Sequence, residues 1–380
     1  MSHLLEHMCF KGTPRRPTPQ EVSGVVERAG GVTNAGTDRE LTLYWCKIAA
    51  QHLPLALDVM TDIACRPLLL EEELEKERQV VLEELAITNE VPGMRAELLI
   101  DEVMWPGHPL GRDVAGTRES VLGIGGEAMR AYWRQQYSPR NAVLSVAGNV
   151  QHEAVIEALE RCVADWAPST SQPWLPAPES QTAPRLKLEW RRSDQAHLCL
   201  GLRGLPLTHP DRFKLDLLNT ILGEGMSSRL FVELRERQGL AYDVHSEVNH
   251  LLDCGSLVVH ASVSPQKIEQ ALQSALQELA RIKERVPEEE LRKGKEYTKG
   301  RLLLRMEDSR VVAEWIGAQE LLMGQVLTVD EVVQRLEEVT AQDLQELAQR
   351  LLVREKLNLA VVGPFRGSRI ESRLERLLSL

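Results

Sequence analysis

Two segments of this chain recur in the same order, and this internal repeat limits the possible folds more than any other feature. The acidic stretch EEELEKERQVVLEEL (71–85) is matched by EEELRKGKEYTKGRLL (288–303), at an offset of 217 residues. The apolar run AVLSVAGNV (142–150) is matched by LNLAVVGP (357–364), and both follow a helical pattern. Short amphipathic runs also resemble each other by chance, but two matches at nearly one offset indicate a duplicated domain. Each apolar run predicts a strand.

A proline-rich stretch, APSTSQPWLPAPESQTAP, divides the chain nearly in half. Proline lacks the backbone donor and resists helices and central strands, so this stretch predicts an extended linker. A chain of 380 residues is also long enough for two cores. We therefore predict a first domain at 1–166, a linker at 167–184 and a homologous second domain at 185–380.

Helical patterns outnumber strand patterns in both halves. Apolar residues at three- and four-residue spacing recur in stretches such as PLALDVMTDIACRP, whereas LTLYWCKIA and SLVVHASV are among the few strand-like runs. Such clustering predicts the α+β class, with two homologous domains that each contain a mostly antiparallel sheet with helices packed on one face.

Charge and hydropathy argue against two kinds of partner. The net charge of −11 argues against a general nucleic-acid binder, so no nucleic-acid partner is expected. No apolar run approaches the ~20 residues that a membrane-spanning helix requires, so no membrane span is expected. The six cysteines include no CxxC pair, which fits a reducing compartment.

The first residues of the chain contain the motif HLLEH. In a helix, His3 and His7 lie four residues apart on one face, and Glu6 lies beside them. Two imidazoles at this spacing can reach one Zn²⁺ ion, and the glutamate can take a proton from an attacking water molecule. This HxxEH order is the inverse of the HExxH signature of zinc peptidases. The alternative is a helix with two solvated histidines.

Zinc in a catalytic site needs a third protein ligand, and the acidic stretch 71–85 supplies candidates. When the apolar stripe of this helix is buried, Glu77 and Glu84 fall beside the stripe, whereas Glu83 falls opposite it and faces water. Glu84 is therefore the better ligand, and Glu77 can orient a histidine. The alternative is a solvated acidic helix face.

Longer motifs now add a family resemblance. Six motifs carry it: HLLEHMCFKGT, ERQVVLEEL, GGVTNAGTDRELTLYW, HPLGRDVAGT, YSPRNAVLSVAGNV and LGEGMSSRLFVELRERQGLAYDV. The chain with these motifs resembles the pitrilysin/insulinase family of inverzincin metallopeptidases, on the side of mitochondrial processing peptidase and its bacterial relatives. The resemblance covers essentially the whole chain. It implies a zinc metalloendopeptidase that hydrolyses extended peptides or unfolded segments. It also implies one Zn²⁺ per chain, with His3, His7 and Glu84 as ligands, Glu6 as general base and Glu77 as supporting carboxylate.

The same resemblance implies residues that contact the substrate. Arg235 and Tyr242 would contact the peptide backbone near the zinc, and an Arg fork and a phenol can stabilise an oxyanion. Asn34 and Ala35 lie in a segment that resembles an exposed edge strand, to which a peptide could add as a further strand. Without the resemblance, a surface arginine, a core-edge tyrosine and an ordinary hairpin strand are the simpler interpretations. At the offset of 217, Arg301 replaces Glu84, so only the first half is expected to hold zinc.

Family members normally carry a few dozen residues before the HxxEH helix, which form the first strands of the first sheet. The resemblance therefore implies a first domain without its N-terminal strands, and predicts an in-frame, β-rich coding segment upstream of Met1. The alternative is a true truncation. It also implies a homodimer, or a heterodimer with a metal-free homologue, in the cytoplasm of a bacterium. The alternative function is a non-catalytic chaperone-like or assembly subunit of the same fold.

Overall fold

The computed structural model describes residues 1–378 as a mixed α+β protein with two sheets, which confirms the predicted fold class. The helices are α1 (Ser2–Cys9), α2 (Pro19–Glu27), α3 (Leu53–Cys65), α4 (Glu71–Glu90), α5 (Pro92–Met104), α6 (Arg118–Gly123), α7 (Gly126–Gln136), α8 (His152–Val163), α9 (Arg212–Gly223), α10 (Ile268–Arg281), α11 (Glu288–Arg305), α12 (Ser309–Met323), α13 (Val329–Glu338), α14 (Ala341–Leu351) and α15 (Ser368–Leu377). The strands are β1 (Val32–Thr37), β2 (Thr42–Lys47), β3 (Arg185–Trp190), β4 (Ala196–Arg203), β5 (Ala241–His250), β6 (Gly255–Val263) and β7 (Asn358–Gly363).

Shorter helical turns connect these elements. A π-helical segment spans Phe231–Arg237, between α9 and β5. The 3₁₀ turns are Ala50–His52, Pro109–Gly111, Pro139–Asn141, Pro265–Lys267 and Arg354–Lys356.

The chain forms two compact units, and neither is continuous in sequence. The first unit contains residues 1–87, 113–174 and 305–326. The second unit contains residues 88–112, 175–304 and 327–380. Helix α5 therefore belongs to the second unit, and α12 belongs to the first.

In the first unit, burial of apolar residues fixes the orientation of α1. Leu4, Leu5, Met8 and Cys9 are buried in one cluster, to which α4 also contributes. Leu4 and Met8 are four residues apart, as are Leu5 and Cys9, and this spacing places side chains on one side of a helix, so this side faces the core. His3 and His7 consequently lie at the edge of the buried side rather than inside it, and both are partly exposed.

The sheet of the first unit is a single antiparallel hairpin, in which β1 pairs with β2 from Val32↔Lys47 to Thr37↔Thr42. The run 142–150 was predicted as a strand, and this prediction is wrong: it contains no strand, and Val143 and Leu144 are exposed. A strand requires hydrogen bonds to a neighbouring strand. Within the described part of this unit, β1 and β2 pair with each other and no strand lies beside 142–150.

The second unit contains a five-stranded sheet in the order β3-β7-β4-β6-β5. All neighbours are antiparallel except β3 and β7, so the sheet is mostly antiparallel, and the strand predicted at 357–364 is confirmed as β7. Successive residues of β4 point to opposite faces of this sheet. Leu198 and Leu200 lie in the large apolar cluster on one face, whereas Cys199 lies in a smaller cluster with α5 on the other. No helix in residues 1–378 is both long enough and apolar enough to cross a membrane.

Candidate metal centre

His3 and His7 on α1 face Glu84 on α4. His3 Nε2 lies 3.5 Å from Glu84 Oε2, and His7 Nε2 lies 3.8 Å from Glu84 Oε1. The two imidazole centroids are 4.8 Å apart with ring planes at 70°. One potential metal-binding atom from each of His3, His7 and Glu84 lies within 4.8 Å of the other two. Among the histidines, cysteines and acidic residues of 1–378, these three form the one cluster of this kind. Two imidazoles and a carboxylate are a ligand set that zinc accepts.

The phase of α4 explains why Glu84 rather than its neighbour faces the histidines. Leu74, Val81 and Leu85 are buried and fix which side of the helix faces the core. Glu84 then lies at the border of that side and is partly exposed, whereas Glu83 is exposed to solvent. The position of the carboxylate is therefore a consequence of helical periodicity.

Glu77, one heptad before Glu84, is buried beneath His7. Its Oε2 lies 3.0 Å from His7 Nδ1, and its Oε1 lies 2.6 Å from Lys11 Nζ. An ionised carboxylate can only accept, so His7 donates through Nδ1–H and presents the lone pair of Nε2 towards Glu84. Lys11 was missed from the sequence, although it follows His7 by four residues, the spacing of one helical turn.

His3 lies in a different environment. Burial lowers the pKa of His3, helped by the nearby His7 and opposed by Glu84 and Glu6. The Nδ1 atom of His3 is buried without a hydrogen-bond partner. A neutral imidazole whose Nε2 faces a carboxylate fits a metal ligand, because metal binding requires the deprotonated ring nitrogen.

Glu6 is not a member of the three-residue group. Its side chain is buried, and Oε2 accepts a hydrogen bond of 2.5 Å from the Thr37 hydroxyl at the end of β1. One carboxylate oxygen is thus attached to the sheet. Thr37 was also missed from the sequence, because the contact joins two elements that no local pattern relates.

The β1 strand has an edge that does not face β2. The Asp38 amide donates to the Leu41 carbonyl at 2.9 Å, which fixes the alternation of hydrogen-bonded pairs along the hairpin. With this alternation, the backbone groups of Asn34 and Gly36 form hydrogen bonds with β2, whereas the backbone amide of Ala35 points away from β2. There, the Ala35 amide donates to Asn34 Oδ1 at 2.8 Å. The two residues predicted as peptide contacts therefore meet at the edge opposite β2.

Arg235 and Tyr242 belong to the second unit, and the structure brings them together. The Arg235 guanidinium lies 5.0 Å from the ring centroid of Phe231 and 5.7 Å from that of Tyr242. Arg235 comes from the π-helical segment, and Tyr242 lies where the β5–β6 register shifts between Ala241 and Asp243. Such irregularities redirect side chains. Tyr242 is 74% exposed.

The second half has different residues at the positions that correspond to the metal group. At the offset of 217, Thr220 and Glu224 replace the two histidines, and Gly294 and Arg301 replace the two glutamates of α4. The Thr220 hydroxyl donates to Glu224 Oε2 at 3.0 Å. A Cβ added at Gly294 would lie 3.1 Å from the Ile221 side chain, so a larger residue there would require Ile221 to shift by a few tenths of an ångström.

Comparisons with known families match both halves. Residues 1–118 match the model described as "Insulinase (Peptidase family M16)", and residues 124–297 match the model described as "Peptidase M16 inactive domain".

Curated relatives match nearly the whole chain. A protein of Streptomyces coelicolor named an uncharacterized zinc protease is 35% identical over 373 residues, which cover 96% of this chain and 81% of that protein. The uncharacterized zinc protease YmxG of Bacillus subtilis is 34% identical over 365 residues, covering 96% and 88%.

Solved structures share the fold. A protease from Helicobacter pylori superposes with a TM-score of 0.89 at 24% identity, covering 96% of this chain and 88% of that one. A structure described as a peptidase M16 inactive domain from Pseudomonas fluorescens gives a TM-score of 0.86 at 18% identity, with the same coverage.

Proposed function

Because this chain belongs to the insulinase family of peptidases, family M16, we propose that it is a zinc-dependent metalloendopeptidase acting on extended peptides or unfolded segments. The observation that carries the proposal is the convergence of His3, His7 and Glu84 in the half of the chain that matches the insulinase model.

His3, His7 and Glu84 would hold the ion. When bound, Zn²⁺ supplies Lewis-acid polarisation of a peptide carbonyl and makes water acidic enough to lose a proton near neutral pH. Glu77 fixes the tautomer of His7 by accepting its Nδ1–H, and Lys11 neutralises the charge of Glu77. These two residues therefore orient a ligand without belonging to the ligand group.

Glu6 would act as general base. Its Oε2 is occupied by Thr37, and Oε1 is the oxygen that can accept a proton from water as the water oxygen attacks the scissile carbonyl carbon. When the carbon–nitrogen bond breaks, Glu6 returns this proton to the leaving amine. The products are a carboxylic acid and an amine, and Glu6 ends in its initial state.

The substrate would bind as an additional strand along β1. An extended peptide would pair with backbone groups at the edge opposite β2, where its carbonyl would take the Ala35 amide proton from Asn34 Oδ1 and so free the Asn34 side chain to bind the peptide. Arg235 and Tyr242 can donate to the carbonyl oxygen on which negative charge develops. Backbone pairing favours substrates that are unfolded rather than substrates of one sequence.

We further propose that the working enzyme is a dimer. In the family that the sequence resembles, a chamber is built from two units like this one. A homodimer could place Arg235 and Tyr242 of one protomer at the metal group of its partner. Pairing with a metal-free homologue is the alternative arrangement.

A non-catalytic subunit of the same fold is the second candidate function, and the match of 124–297 to a model described as an inactive domain favours it. That match, however, falls mostly in the half with Thr220 and Glu224 in place of the histidines. The half that matches the insulinase model retains all four residues of the proposed metal and base chemistry.

Zinc content and peptidase activity separate these candidates. The purified chain should contain one zinc per chain and cleave a fluorescently labelled unfolded protein. Glu6→Gln should keep zinc and lose activity, whereas Glu84→Gln should lose both. If Glu6→Gln lost its zinc while Glu84→Gln kept it, the assigned roles would be wrong. A wild-type chain that binds zinc but cleaves nothing, alone or with a homologue, would favour the non-catalytic subunit.

A further inference from the structure

We propose that Thr37 is a positioning residue, which holds the Glu6 carboxylate in the orientation that general-base catalysis needs. The inference rests on the proposed peptidase function. Thr37 is not a member of the group His3–His7–Glu84, and in the proposal it does not contact the reacting atoms. It acts through its hydrogen bond to Glu6.

The direction of the hydrogen bonds can be assigned from the donor inventory. A threonine hydroxyl has one proton, and the ionised Glu6 carboxylate can only accept, so Thr37 donates to Glu6 Oε2. The Thr42 hydroxyl lies 3.2 Å from that of Thr37 and must therefore donate to it. The two hydroxyls form a chain, Thr42 to Thr37 to Glu6, in which each bond polarises the next.

The chain of hydroxyls is attached to rigid backbone. Thr37 and Thr42 are directly opposite each other in the β1–β2 register, next to the turn that the Asp38–Leu41 hydrogen bond closes. Their β-branched side chains have restricted χ1 angles. Glu6 is attached at its other end to α1, which is anchored in the core by its apolar side. The carboxylate is thus held between two fixed elements, and Oε1 has a defined direction.

The same strand carries both the peptide edge and the anchor of the base. Ala35, whose amide points to the edge opposite β2, lies two residues before Thr37. Movement of β1 would therefore displace the bound peptide and the Glu6 carboxylate together. This coupling would keep the distance between base and scissile bond constant, which is the geometric requirement of a near-attack arrangement.

A purely structural role for Thr37 makes a different prediction. If the hydroxyl only satisfied a buried carboxylate, its removal would lower stability, and any loss of activity would follow the fraction of folded, zinc-loaded protein. A positioning role predicts a loss in kcat per zinc-loaded chain. It also predicts that a serine, which keeps the hydroxyl, restores activity.

The test uses the full chain with Thr37→Val, Thr37→Ser and Thr42→Val, and Thr18→Val as control. Thr18 caps α2 at an exposed position, so the control loses a hydrogen bond in the same unit without approaching Glu6. Thr37→Val should keep one zinc and an unchanged KM, while kcat falls ~10- to 100-fold because misplacing a catalytic group by about 1 Å costs up to that much. Thr37→Ser should recover most of the loss, and Thr42→Val should show a smaller one.

A crystal structure of zinc-free Thr37→Val provides a readout that does not depend on activity. We expect the Glu6 carboxylate to leave its wild-type position or to occupy more than one. Wild-type kcat in Thr37→Val, failure of Thr37→Ser to restore kcat, or an unmoved carboxylate would each overturn the inference. Absence of activity in the wild-type chain would instead refute the proposed function, and the carboxylate position would still test the role of Thr37.

Discussion

Removing the carboxylate beneath His7 should weaken zinc binding without removing a ligand. The change is Glu77→Leu combined with Lys11→Met, because the single substitution would leave the Lys11 ammonium without its partner at 2.6 Å. Both replacements keep approximate side-chain volume, so the packing of α1 against α4 is largely preserved. The double variant isolates the contact between His7 Nδ1 and Glu77 Oε2.

The size of the effect follows from the type of hydrogen bond. A hydrogen bond to a charged group contributes about 1.5–3 kcal/mol net, which corresponds to roughly 10- to 150-fold in a dissociation constant. Loss of a partner that orients a metal-binding histidine typically costs ~10- to 100-fold in metal affinity, in agreement with this range. We therefore expect the zinc dissociation constant to rise by ~10- to 100-fold, with kcat much less affected once zinc is saturating.

The assay is competition for zinc between the protein and a chromophoric chelator at fixed pH. Glu83→Leu is the matched control, because Glu83 is on the same helix but exposed to solvent, and its zinc affinity should equal that of the wild type. A double variant with wild-type zinc affinity would refute the idea that Glu77 orients His7 for the metal. Thermal unfolding of the zinc-free proteins checks that any loss is not a folding defect.

Two further predictions concern assembly and pH. Glu6→Gln and Arg235→Ala/Tyr242→Phe chains, each inactive alone, should regain part of the activity when mixed if the two sites work across a dimer. If heterodimers form and no activity returns, the sites act within one chain. Hydrogen bonds from Lys214 and Thr340 lower the pKa of Asp343 from 3.8 to about 2, so this carboxylate stabilises the fold above pH 3.8, and that contribution disappears as the pH falls towards 2. Asp343→Asn should therefore cost ~1 kcal/mol at pH 7, because partial exposure screens the full shift, and less below pH 4. Denaturant unfolding measures this, and a cost independent of pH would contradict it.

The part of the candidate site that sequence could predict is the part set by helical periodicity. His3, Glu6 and His7 are fixed relative to one another by a single turn of α1. The heptad between Glu77 and Glu84 is fixed by α4. Which glutamate faces inward also follows from the apolar stripe, because a stripe of buried residues defines the phase of the whole helix.

What sequence could not predict depends on contacts between distant elements. The Thr37–Glu6 bond joins α1 to β1, and neither local pattern specifies it. The run 142–150 has the composition of a strand, but a strand forms only where another strand offers its backbone groups. The π-helical segment and the shifted register at Tyr242 likewise depend on packing. Motif matching could therefore identify Arg235 and Tyr242 as candidate substrate contacts, but it could not predict that the Arg235 guanidinium lies over the Tyr242 ring.

The discontinuity of the two units has a consequence for biosynthesis. Helix α12 is translated near the end of the chain, yet it packs on β2 in the first unit, where Asp308 accepts a hydrogen bond of 3.0 Å from Lys47 and Arg310 stacks on Trp45. Strand β2 in turn supports β1 and the hydroxyls that reach Glu6. The histidine motif and β2 would thus leave the ribosome long before α12, because Lys47 and Asp308 are 261 residues apart in sequence. The support that α12 gives to β2, and through it to β1, is therefore a late event in synthesis, because a contact between segments so far apart in sequence forms only after both have been made.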